Sequence, residues 1–234
     1  MSGSDHLLGV AINYAGAALP HRAPLEGTFV RLEPLELARH GDDLWQGACE
    51  TAGVETWAYL PYGPFAGRGE YDAHLSHQSQ STDPLFFAIV KQDSNCACGI
   101  ASFANIVADM GVIEIGHVWF APSLQRSREA TEAMFLMMRE AFDGLGNRRL
   151  EWKCNALNQR SKHAAERLGF TYEGTFRQHK VWKGRNRDTD WLSVIDSEWP
   201  PVRRNIEAWL RPENFGSDGT QHFSLSERQA RRQG

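Results

Sequence analysis

Ala130, Ala133, Met134, Met137, Met138, Ala141 and Phe142 recur at i, i+3, i+4, i+7, i+8, i+11 and i+12, a continuous apolar stripe on one side of a helix. No other stretch constrains the fold as strongly. Such a stripe must be covered, and the nearest cover is the apolar run from Val112 to Phe120 just before it. Methionine fills irregular gaps in cores, so the Met-rich stripe predicts packing and not a cofactor box. Between strand and helix stands a loop containing Pro122 and then Leu124-Gln125-Arg126-Ser127-Arg128-Glu129-Ala130. A loop feeding a helix N-terminus offers unpaired N–H groups and the positive end of the helix dipole, which suits a phosphate. Arg126 and Arg128 would add charge and forked donors. The competing reading of both arginines is a solvated basic rim.

The remaining pattern predicts short alternating elements. Phe29 to Leu32 reads as a strand, and Leu37, Leu44, Trp45 and Ala48 share one helical face. A second helix is expected around Glu70 to Gln80, with Tyr71, His74, Leu75 and Gln78 at helical spacing. Phe86 to Val90, the turn 92–95 and Gly99 to Ile106 form a hairpin. Leu150 to Asn155 is a further strand. Asn158 then caps a helix that runs to Leu168 and ends on Gly169, with Phe170 folding back. Phe176 to Lys183 and Thr189 to Ser197 flank a turn as a long hairpin. This order predicts one mixed α/β (α+β) domain over 25–212, with an N-terminal arm (1–24) and a polar, flexible tail (213–234). A doubly wound nucleotide fold is excluded.

With 234 residues, 41% of them hydrophobic, the chain can bury a core without disulfide staples. Its net charge of −4 invites neither nucleic acid nor an anionic membrane surface. Cys49, Cys96, Cys98 and Cys154 are too few and too scattered for a secreted disulfide framework, and no second Cys or His pair completes a metal set beside Cys96 and Cys98. Asn13 interrupts the apolar stretch from Leu7 to Leu19, and Asp5 stands where a signal peptide would be basic. The expectation is a cytoplasmic protein with no metal, either monomer or homodimer.

Four segments in order carry a resemblance. Glu114-Ile115-Gly116 precedes Gln125-Arg126-Ser127-Arg128-Glu129-Ala130-Thr131-Glu132-Ala133; Asn158-Gln159-Arg160-Ser161 precedes Leu168-Gly169-Phe170 and then Glu173-Gly174 with Arg177. From about Leu25 to Trp199 the chain resembles the Gcn5-related N-acetyltransferases (GNAT superfamily), and within them the RimJ/RimL-like branch. The resemblance implies a GNAT-like domain, a mixed, mostly antiparallel sheet flanked by helices with splayed central strands. It implies acetyl-CoA as cosubstrate and a primary amine as acceptor, a protein N-terminus or a small molecule. One departure stands out: the two loop glycines of the family are Arg126 and Arg128 here. An arginine there holds ordinary dihedrals or carries strain of about 1–3 kcal/mol.

The same resemblance implies roles. The backbone of Val118, Trp119 and Phe120 would hold the acetyl and pantetheine groups, and Gln125, Arg126, Ser127, Arg128, Glu129 and Ala130 the pyrophosphate. Asn158 would bond the pantetheine arm, although helix capping explains it equally. Glu114 would be the general base, directly or through water, its alternative being a structural ion pair. His117 is a second candidate base, its alternative a structural histidine. Ala165 occupies the position of the family's tyrosine acid; the RimL-like alternative is a serine, and Ser161 at the matching place would protonate the leaving thiolate, its alternative being a first-turn residue that satisfies free helix N–H groups. Trp57, Tyr62 and Gly63, in an aromatic loop, would wall the acceptor or plug the core. A non-catalytic acyl-CoA sensor is the rival to an enzyme.

Overall fold

Short polar turns force successive strands to run antiparallel, and they dictate most of the sheet. The computed structural model describes residues 9–230. In chain order the elements are β1 (Leu25–Glu26), β2 (Val30–Pro34), α1 (Leu37–Trp45), α2 (Arg68–Gln80), β3 (Leu85–Lys91), β4 (Ala97–Val107), β5 (Val112–Phe120), α3 (Arg128–Arg139), β6 (Arg149–Asn155), α4 (Gln159–Leu168), β7 (Thr171–Trp182), β8 (Arg185–Ile195), α5 (Trp199–Leu210) and α6 (Leu225–Ala230). One sheet of eight strands has the order β1-β2-β3-β4-β5-β6-β8-β7. Every neighbouring pair is antiparallel except β5 and β6, which the crossover through α3 makes parallel.

Register assigns the faces. Phe86, Ser102, Gly116, Glu114 and Glu151 share one face; Ile115, Ile113, Leu150 and Val194 share the other. The first face meets α2 through Tyr62, whose ring stands 4.2 Å from His74 and 5.7 Å from His117. The second meets α4 through Trp152, whose indole N–H donates to Ser161 Oγ at 3.0 Å. The stripe on α3 is buried as its spacing predicts, with Ala133, Met137 and Met138 fully covered. No helix among the described residues is long and apolar enough to cross a membrane.

Glu132 lies on α3 inside the core and is only 5% exposed. Its carboxylate accepts the backbone N–H groups of Thr28, Phe29 and Val30 at 2.8, 2.6 and 2.8 Å. A buried charge is tolerable only when hydrogen-bonded in this way. It fastens α3 to the start of β2. A Cβ at Gly27 would lie 2.8 Å from that carboxyl carbon, so the approach needs a glycine.

The C-terminal expectation needs correction. Residues 213–230 are folded, not a solvated tail: Leu225 is fully buried and Asn214 is 2% exposed. Asn214 donates to Trp209 O at 3.0 Å and accepts from Phe223 N–H at 3.0 Å, and Phe215 and Phe223 pack on the core. Three sparse apolar residues in polar sequence are enough because α5 gives them a surface. That helix was also missed, although Trp199, Val202, Ile206 and Trp209 line its buried side, and Pro200-Pro201 sit in its first turn, where proline costs no hydrogen bond. The N-terminal arm is docked where described, with Ala17 N–H on Ala108 O and Ala18 N–H on Leu145 O, both at 2.8 Å. Leu7 and Leu8 of the apolar N-terminal stretch lie outside the described residues, as do Arg231 and Arg232.

Candidate active site

β5 and β6 pair at three positions only, ending at Glu114 opposite Glu151, and then part. Beyond that apex the edge of β5 facing β6 has no ladder partner among the described residues, so the backbone groups of 115–120 on that edge lack a strand partner, with Phe120 O taken by Gln125. The kink comes from left-handed residues on both sides of the β4–β5 ladder: His117 at φ +54° and Asn105 at φ +47°, where the register shifts. The implied splay is therefore present, and Val118, Trp119 and Phe120 lie along its β5 side. Trp119 itself is a buried core residue, so what this run offers the gap is backbone.

Glu114 stands at the apex and is 8% exposed. Its carboxylate accepts from Asn105 Nδ2 and, at 2.8 Å, from Lys153 Nζ. Lys153 also reaches Glu151 at 2.7 Å and lies 4.1 Å from the centre of the Trp191 ring. The ion pair weighed as the alternative for Glu114 thus exists, and Lys153, which sequence reasoning missed, builds it. Its signal was the alternation of Glu151 and Lys153 on one strand face.

Burial pushes His117 down to about 4, helped by the charges of His74, Lys180 and Arg187. The neutral ring stacks on Tyr62 and places Nδ1 at 3.4 Å from its hydroxyl. Burial raises the Tyr62 hydroxyl far above the usual phenol range, so it remains protonated. A histidine depressed from 6.5 to about 4 contributes roughly 3 kcal/mol of stability, fully present above pH 6.5 and lost as pH falls toward 4. In thermal unfolding between pH 7.5 and 4.5, His117→Gln is expected to flatten that acid limb. Superimposable profiles would show that the imidazole does not titrate as placed.

The loop before α3 is built around Ser127. Its Oγ donates to Leu124 O at 2.5 Å and accepts from Ala130 N–H at 3.0 Å, capping the helix. Gln125 Nε2 donates to Phe120 O at 2.9 Å and ties the loop to the end of β5. Helix geometry leaves the N–H groups of Arg128 and Glu129 without intrahelical partners. Ala130 has its N–H taken by the cap and its side chain buried. The two arginines divide. Arg126 adopts φ +59°, takes the strain weighed for it, and is exposed with no partner among the described residues. Arg128 turns its guanidinium away from the loop. Its Nε donates to Leu210 O at 3.1 Å, and Nη2 donates to the same oxygen. The group lies between the rings of Phe29 and Phe215 at 4.1 and 4.4 Å. It caps the C-terminus of α5, which corrects the expectation of a second phosphate fork.

If the loop takes the phosphate that its free N–H groups suit, Arg126→Ala is expected to weaken that binding about tenfold, the loss of one charge-assisted bond, with little change in melting temperature. Arg128→Ala is expected to do the reverse, costing about 1–3 kcal/mol of stability by orphaning Leu210 O. Calorimetric titration and thermal unfolding of both variants check the assignment, and a swap of the two phenotypes would overturn it.

On the opposite side of the gap, Asn158 caps α4 by accepting from Ser161 N–H at 3.2 Å. Ser161 Oγ accepts the Trp152 indole N–H, and its own O–H is directed at the Cys154 sulfur. Beside it the Cys154 thiol is pushed up to about 11 by burial and stays protonated. Ala165 is fully buried, so no side chain there reaches the gap.

The aromatic loop is both plug and roof. Trp57 is 3% exposed and packs 5.1 Å from Phe65 and 6.0 Å from Trp119, so it is core. Gly63, at φ +62°, lies against it, and a Cβ there would stand 2.7 Å from the indole. Tyr62 is left as the face toward His117. Tyr59 Oη donates to Leu157 O at 3.3 Å, spanning from this loop to the segment before Asn158. Lys183, at the tip of the β7–β8 hairpin, donates to Trp57 O at 2.7 Å and Tyr62 O at 3.1 Å. The hairpin and the loop are thus joined. The place of Lys183 at the end of a strand gives no sign of these contacts.

Residues 30–171 match the family model described as the acetyltransferase (GNAT) domain. No curated protein matches the chain. Among solved structures, a GCN5-related N-acetyltransferase from Brucella melitensis is 45% identical, with a TM-score of 0.91 over 93% of this chain and 99% of that one. A GNAT-family protein from Chromobacterium violaceum is 39% identical, with a TM-score of 0.75 over 82% of this chain and 95% of that one. The microcin C7 self-immunity acetyltransferase MccE, solved with acetyl-CoA and AMP, shares the fold at 20% identity, with a TM-score of 0.64 over 72% of this chain and 93% of that one. A parallel pair opening after Glu114, a capped loop at its end and a match over most of the sheet converge: the chain belongs to the GNAT acetyltransferase family.

Proposed function

We propose that the protein transfers an acetyl group from acetyl-CoA to a primary amine, on a protein N-terminus or a small molecule, as the RimJ/RimL-like motifs suggest. The observation that carries this reading is the gap between β5 and β6, with free backbone on one side, a capped loop at its end and Ser161 across from it. The thioester lies along Val118 to Phe120, where fixed N–H donors oppose the charge that develops on the carbonyl oxygen. Arg126 and the N–H groups of Arg128 and Glu129 receive the pyrophosphate. Asn158 shapes the start of α4 and adjoins the pantetheine arm. Glu114 at the apex takes the ammonium proton, directly or through water. The attacking nitrogen forms a bond to the acetyl carbon, the C–S bond breaks, Ser161 passes its proton to the sulfur, and the second proton that the nitrogen sheds as the amide forms returns to Ser161.

Tyr62 and His117 line the acceptor side. His117, protonated only in acid, orients Tyr62 and does not store the proton. Calorimetric titration with acetyl-CoA, followed by thiol detection across an amine panel, tests the reading. Micromolar binding with amine-dependent thiol release is the expected result. Binding without release from any amine would favour the sensor, which the Lys153 clamp on Glu114 also fits. Failure to bind at millimolar acetyl-CoA would end both.

A further inference from the structure

Arg187 is 6% exposed, yet none of its nitrogens meets a hydrogen-bond acceptor among the described residues, and its Nε is fully enclosed. An arginine buried this deeply is ordinarily paired. Its guanidinium lies 3.6 Å from the centre of the Trp182 ring, which supplies packing but no acceptor. By register it shares the sheet face of Trp191, Lys153 and Glu114, on the acceptor side and opposite α4. It is close enough to the apex that its charge helps depress His117 and Lys180.

The nearby carboxylates bond other cations, and Glu114 acts on Arg187 only through its charge, without a hydrogen bond. Glu114 is held by Lys153, Glu151 by Lys153 and Arg149, and Glu173 by Arg149. Lys180, opposite Arg187 on β7, adds a second cation with no ion pair among the described residues. The Trp191 indole N–H, on the same face, is buried without an acceptor as well. Donors and positive charge are thus in excess beneath the loop that Lys183 holds down. The family's generic amine chemistry does not account for this, because an ammonium acceptor would be repelled here.

The geometry points to an acceptor that carries an anionic group, a carboxylate or phosphate, seated on Arg187 while its amine faces Glu114. A guanidinium fork suits either oxyanion, and the excess cation selects it against neutral and dicationic amines. The assignment rests on the acetyltransferase reading for the amine, but not for the anion site.

The test uses four amines with a two-carbon spacer, titrated into the full chain alone and with desulfo-CoA, so that no turnover is needed. These are β-alanine, O-phosphoethanolamine, ethanolamine and ethylenediamine. One of the two anionic amines is expected to bind at least tenfold tighter than ethanolamine and ethylenediamine, and the better of the two identifies the oxyanion. In Arg187→Met that preference is expected to fall below threefold while the melting temperature holds or rises, because an unpaired buried charge has been removed. Equal binding of all four, binding of none, or a preference that survives in Arg187→Met would overturn the assignment. A lowered melting temperature with the preference intact would make Arg187 a packing residue on Trp182. Acetyl-CoA binding is titrated separately, so its failure would remove the transferase reading and leave the anion site to be judged on these data.

Discussion

Glu114→Gln is expected to lower kcat/KM by about 10²–10⁴ while leaving the dissociation constant for acetyl-CoA unchanged, the loss typical of a removed general base. The substitution is a clean one. Lys153 keeps Glu151 at 2.7 Å, so the ammonium is not stranded when the charge on Glu114 is removed, and a glutamine oxygen can still accept from Asn105. A decisive readout is the pH profile of kcat/KM. If the carboxylate takes the proton, the profile of the variant differs in shape from that of the wild type. If Glu114 only completes the ion pair across the apex, the melting temperature falls, kcat stays within a few-fold and the profile keeps its shape. That second outcome would remove Glu114 from the chemistry.

Glu132→Ala should be the most damaging single change to stability. Three N–H groups at the start of β2 lose the acceptor they have among the described residues, and Val30 is fully buried. Orphaning buried donors costs about 1–3 kcal/mol each, and breaking a buried charged site about 3–5 kcal/mol in all. At roughly 2–4 °C per kcal/mol for a chain of this size, the melting temperature should fall by about 10 °C. Glu132→Gln keeps one oxygen and should fall by less. A loss under about 3 °C in the alanine variant would mean that β2 finds other partners or that water enters. The carboxylate would then not be what fastens α3 to the sheet.

Elements whose signals lie within a few residues were legible in the sequence. Val112–Phe120 emerged with the bounds the apolar run gave it, and Asn158 and Gly169 begin and end α4 as capping chemistry requires, with Gly169 at φ +102°. The splay came from resemblance, since no local pattern marks where β6 leaves β5. What stayed hidden depends on partners far away in sequence. Arg128 could not be assigned to Leu210, 82 residues on, from its place in a loop motif. The C-terminal segment read as solvated because the surface its phenylalanines cover belongs to α5. Lys153, Lys183 and Arg187 fall on strands and a turn whose facing partners only the sheet order reveals.

That order also dictates how the cleft comes into being during synthesis. β8 lies between β6 and β7, although β7 is made first. A nascent chain ending at Gly184 would hold β6 to the rest of the sheet by three parallel pairs, against the seven pairs β8 later adds on its other side. The strands β1 to β5, each beside its neighbour in sequence, can assemble as they emerge, whereas the far wall of the cleft waits for 185–195. Protease resistance of β6 should accordingly appear only in chains that extend past Ile195. The ribosome would thus release one complete half of the molecule well before there is a gap for any thioester to enter.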